Sequence, residues 1–118
     1  MTLRFLPLAL LLTAPALAQE QGPPKPLSLQ QASALKCSAA FAVGATMQAR
    51  GQGSEWPALG QRGREFFVRA SAQIMDETGR TRDQVAVELS GQAKQLGEPG
   101  ALAAAMRPCL LLLDASGL

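Results

Sequence analysis

The sequence predicts an all-α fold, a compact bundle of about four helices whose first and last helices are joined by a disulfide. Three observations carry this. Apolar residues recur in steps of three and four along four separate stretches. Capping residues and glycines punctuate the chain between those stretches. No segment alternates with a two-residue period long enough to build a strand.

The chain has 118 residues, enough for one domain. Residues 1–18, MTLRFLPLALLLTAPALA, are set aside before the fold is considered. Arg4 gives a short positive start, Phe5 to Leu12 an apolar run, and Ala16 and Ala18 the small residues at a cleavage site. This pattern predicts a secretory signal cut near Ala18, and hence a periplasmic or secreted protein. A spanning helix needs about 20 apolar residues. The run is shorter and is broken by Pro7 and Pro15, so no stable membrane anchor is expected after the signal is removed. Residues 19–27 carry three prolines and a glycine and read as a flexible Pro-rich lead. The helical domain is assigned to residues 28–118.

The first helix is expected from Leu29 to Arg50. Ser28 and Gln31 form a capping box, and Gly51 is a natural stop. Leu29, Cys37, Ala40, Phe41, Gly44 and Met47 share one broad face. A second helix is expected after Ser54, with Pro57 in its first turn, running to Thr78 and ending at Gly79. Its stripe is Leu59, Gly63, Phe66, Phe67, Ala70 and Ile74. Gly60 and Gly63 each cost about 1 kcal/mol of helix propensity, which points to a frayed turn or a close helix contact.

Thr81 and Gln84 form another capping box for a third helix, Arg82 to Leu96, with Val85, Leu89, Ala93 and Leu96 inward. A fourth helix begins near Pro99, with Leu102, Met106, Cys109, Leu110 and Leu113 inward. Pro108 lacks an N–H and crowds the carbonyl of Ala104, so a kink or two short helices are expected there. The leucine run that follows is expected to be core on most sides.

An exported chain meets an oxidising compartment, where thiols pair. Cys37 and Cys109 are the only cysteines, so one intramolecular bridge is available. They lack the C-x-x-C spacing of a redox pair. Two cysteines without histidine cannot complete a zinc site, and haem attachment through C-x-x-C-H is excluded. No cofactor or metal is expected.

Cleavage would leave ten basic against nine acidic residues. That near-neutral balance and the scarcity of aromatic residues argue against nucleic-acid binding. The absence of histidine removes Ser-His and Cys-His nucleophile pairs. Asp76 and Glu77 are adjacent and point apart on a helix, so they do not form a catalytic dyad. With Arg80, Arg82 and Asp83 they read as a solvated corner. An enzyme is not expected.

The distinctive stretch is GREFFVRA, residues 63–70. Neighbouring side chains on a helix diverge by about 100°. One of Phe66 and Phe67 therefore enters the core while the other leans toward a groove. Trp56, beside Pro57 at a helix start, is the other candidate contact residue. Trp56, Phe66 and Phe67 thus make up the proposed partner-contact set for an unidentified protein partner.

The signal-like start, the early cysteine, GREFFVRA and the late PCLLLLDAS together resemble small uncharacterised exported helical proteins of Gram-negative bacteria. That resemblance spans most of the chain after the signal and implies neither an activity nor site residues. The expected function is a non-catalytic partner-binding or structural module. The alternatives are a carrier or sensor of a small apolar ligand between helices, and a periplasmic stress chaperone.

Overall fold

The computed structural model describes residues 24–118, which form four helices, α1 (Leu29–Ala49), α2 (Gly60–Thr78), α3 (Arg82–Leu96) and α4 (Ala101–Ala115). The signal-like segment lies outside the described residues. No strand occurs among the described residues.

Both capping boxes form. The Ser28 hydroxyl accepts from the Gln31 N–H while the Gln31 side chain accepts from the Ser28 N–H, and Thr81 and Gln84 repeat the arrangement at α3. Gly79 ends α2 with φ of 74°, a left-handed conformation that a side chain would strain.

Helix α1 is the centre of the bundle. It packs against all three other helices, which touch one another only lightly. Cys37, Ser38, Ala39, Ala40 and Phe41 are all buried in succession. A helix apolar or small on every side belongs inside, so the single broad face expected of α1 is instead a buried waist. Leu29, expected on that face, is 86 % exposed at the bundle's end, and Leu35 is buried in its place.

Close approach to α1 explains two glycines. A Cβ on Gly63 would lie 2.8 Å from the Phe41 Cβ, so α2 reaches α1 only where that position has no side chain. A Cβ on Gly44 would lie 2.7 Å from Leu59 Cδ1. The main core gathers Phe41, Leu59, Phe66, Met106 and Leu113 with the two cysteines. A second cluster joins Leu35, Ile74 and Val85, with Leu27 packed against it.

The disulfide Cys37–Cys109 ties α1 to α4, with Cα atoms 5.1 Å apart. Helix α4 runs through Pro108 as one helix, so of the kink or two short helices expected there the split does not occur. Ala104 and Pro108 both face solvent, so water can satisfy the carbonyl that loses its helical partner. Cys109 and Leu113 are buried, Leu110 and Leu112 are partly buried against the main core, and only Leu111 of the leucine run, at 70 %, is exposed. Helix α4 is peripheral, and among the described residues nothing packs against Leu111 on its outer face.

Helix α2 begins at Gly60, later than the expected start near Pro57. Gln48 on α1 accounts for the difference. Its Nε2 donates to the carbonyls of Gly53 (3.2 Å), Trp56 (3.3 Å) and Pro57 (2.9 Å), and its Oε1 accepts from the Leu59 N–H (3.0 Å). These bonds hold residues 53–59 in a turn that a helix starting at Pro57 would destroy.

The hydroxyls of Ser38 and Thr78 are buried and donate to carbonyls four residues back, at 2.8 and 2.6 Å. Ser71 Oγ is buried without a hydrogen-bond partner among the described residues. An unsatisfied buried hydroxyl costs roughly 1–3 kcal/mol, and alanine has the higher helix propensity. Ser71→Ala is therefore expected to stabilise the fold by about 1 kcal/mol, read as a higher urea midpoint with unchanged slope. A lower midpoint would show that the hydroxyl is satisfied in solution.

Candidate functional site

Adjacent phenylalanines on α2 take the two roles that their divergence allows. Phe66 is 6 % exposed and packs edge-on against Phe41, with ring centroids 5.2 Å apart. It therefore belongs mainly to the core, and the little of it that is exposed lines a second groove with Arg69 and Ile74. Phe67 stays half-buried and lines a groove of about 320 Å³ between α1, α2 and the Leu89 side of α3.

The groove's shape follows from its small residues. Ala42 and Ala45 line one wall, and Gly60 and Gly63 keep the α2 wall low beside Phe67. Among the described residues, Arg64 is the only charged side chain lining it. Trp56, the third candidate, is half-buried and packs against the main core, with Gly53 close beneath its ring. Sequence proximity to a helix start places it near the groove's Leu59 end without making it part of the lining.

Other grooves flank the bundle. One of about 560 Å³ runs beside the disulfide between Lys36, Leu96, Ala104 and Pro108, and one of about 270 Å³ lies over Phe66, Arg69 and Ile74. All three are partly open to solvent.

The acidic corner is partly solvated. Glu77 is exposed and accepts from Gln73 Nε2 at 2.8 Å and from Gln31 Nε2 at 2.6 Å, linking the end of α2 to the start of α1. These bonds, Gln73 first, hold its carboxyl below the ordinary glutamate value because they favour the charged form. The bridge therefore contributes above the ordinary carboxylate range and is lost as pH falls through the lowered folded-state value. An NMR titration of the Glu77 carboxyl should show a midpoint below that of an unstructured glutamate, and Gln73→Ala should raise it. A midpoint unmoved by Gln73→Ala would contradict this cause.

Arg80 departs from the expected solvated corner. Its side chain is only 6 % exposed and forks onto Glu88, with Nε to Oε2 at 2.8 Å and Nη2 to Oε1 at 3.1 Å. Its Nη1 donates to the Lys25 carbonyl at 2.6 Å. Sequence reasoning missed Arg80, Gln48 and Leu35. The available signal for Arg80 was its place between the Gly79 stop and the Thr81 cap, with Glu88 two helical turns further on.

Among the described residues, no group of three or more His, Cys, Asp or Glu side chains is placed to hold a metal ion. No helix of the described residues is long and apolar enough to cross a membrane. No protein-family model matches the chain, and no curated protein or solved structure matches it significantly.

Proposed function

We propose that the protein acts outside the cytoplasm as a non-catalytic binding module, with the Phe67 groove as its interface. The observation that supports this most is the division between the two phenylalanines: Phe66 seals the core, and Phe67 remains available on the floor of an open groove. Aromatic side chains in such positions are common anchors of protein interfaces. The partner this groove suits is an apolar helical segment of another exported protein, because small residues on both walls admit a close-packed backbone. Arg64 at the rim would favour a carboxylate beside that segment.

Photo-crosslinking tests the reading. A benzoylphenylalanine at position 67 should capture a defined protein in cells that export the chain. The same residue at position 111, exposed on α4, should not. Phe67→Ser should reduce recovery of that protein at least tenfold while leaving the circular dichroism spectrum unchanged. No adduct at position 67, or equal recovery with Phe67→Ser, would rule the groove out.

A further inference from the structure

Residues 24–27, the described part of the Pro-rich lead, are tied to the domain that follows. Residues 24–27, Pro-Lys-Pro-Leu, have no regular secondary structure, and they are held to the α2–α3 corner at two points. Arg80 Nη1 donates to the Lys25 main-chain carbonyl, and the Leu27 side chain packs on the Leu35, Ile74 and Val85 cluster. Pro24, Lys25 and Pro26 are otherwise exposed. The guanidinium is oriented for this contact by Glu88, which takes its Nε and Nη2 hydrogens and leaves Nη1 for the strap.

One donor to a backbone carbonyl and one pocket for an apolar side chain is how domains read extended, proline-containing peptides. Proline keeps such a segment extended and lowers the entropy lost on docking. The corner also continues past the four residues that fill it. A shallow trough of about 330 Å³ runs from Pro24 along Asp83, Gln84, Val87 and Glu88, and Val87 is 71 % exposed.

We propose that the α2–α3 corner is a docking site for an extended, proline-containing peptide with a leucine anchor, and that residues 24–27 fill it in cis as an autoinhibitory strap. The partner is a segment of another protein with the same Pro-x-Pro-Leu chemistry. A tethered strap has an effective concentration in the millimolar range, so a free segment enters only when the strap is weakened. This site is separate from the Phe67 groove and stands or falls independently of it.

The test uses the full chain and a labelled peptide with the sequence of residues 22–28, Gly-Pro-Pro-Lys-Pro-Leu-Ser. Fluorescence anisotropy should show at least tenfold tighter binding to the Leu27→Ala chain than to the unsubstituted chain. Pro26→Gly, which loosens the strap and keeps its anchor, should also raise affinity and serves if Leu27→Ala loses helicity. Adding Arg80→Gln to the opened chain should cost at least tenfold in affinity. A peptide with alanine in place of its leucine should bind at least tenfold more weakly, which decides the matter should Arg80→Gln unfold the chain. The proposal is overturned if neither opened variant, folded by circular dichroism, binds better than the unsubstituted chain. It is equally overturned if binding survives the loss of Arg80 or of the peptide leucine. A concentration-dependent dimer formed by exchange of leads would make a second copy the occupant and would also overturn it.

Discussion

Removing both cysteines, as Cys37→Ala with Cys109→Ala, should lower the unfolding free energy by about 4 kcal/mol. The bridge spans 72 positions of sequence, and closing a loop of that length takes on the order of 4 kcal/mol of entropy from the unfolded chain. Small domains have only about 5–15 kcal/mol in total, so the bridge supplies a large share. Alanine is the suitable replacement because both positions are buried and serine would leave hydroxyls to satisfy.

The loss should be uneven as well as large. Helix α4 packs mainly on α1 and touches α2 and α3 lightly. Its amides should therefore exchange earliest when the bridge is absent, before those at the waist of α1. For a domain of this size the melting temperature should fall by roughly 20 °C. A fall of only a few degrees would mean that helix packing alone fixes α4.

Phe41→Ala should cost about 3–5 kcal/mol. Phe41 is fully buried at the waist of α1, makes the edge-on contact with Phe66 and carries the Cβ on which Gly63 rests. It also lines the Phe67 groove, so the vacated ring volume would connect with that groove and admit water. That opening should hold the cost toward the lower end of the range, because a hydrated void is less unfavourable than a sealed empty one. Urea unfolding of the oxidised protein should show a lower midpoint with unchanged slope. A cost below about 1 kcal/mol would contradict the placement of Phe41 at the centre of the core.

The same residues show what could be read before the structure. Ser28 with Gln31, Thr81 with Gln84, and Gly79 are local signals, and each acts within a few residues of itself, so those helix boundaries were legible. The disulfide followed from there being only two cysteines. The divergence of Phe66 and Phe67 followed from helix geometry, although which of them turned inward did not. Phe66 does so because Phe41 and Gly63 leave a space on that side.

The features that escaped all depend on distant partners. The start of α2 is set by the side chain of Gln48, eleven residues before Leu59. Burial of Arg80 depends on Lys25, which is 55 residues away. Pro108 is tolerated because α4 turns that side to solvent, and exposure of one helix face is decided by how the bundle is stacked. Leu29 looked apolar and well placed, but the waist that α2, α3 and α4 surround lies further along α1.

The central claim is that this chain is a helical domain closed by oxidation, with its last helix locked onto its first. Non-reducing peptide mapping of the protein isolated, with thiols blocked at lysis, from cells that make it tests this most directly. The account predicts one linked species joining the Cys37 and Cys109 peptides and no alkylatable thiol before reduction. Two free thiols in folded protein, or either cysteine linked to a second chain, would contradict it.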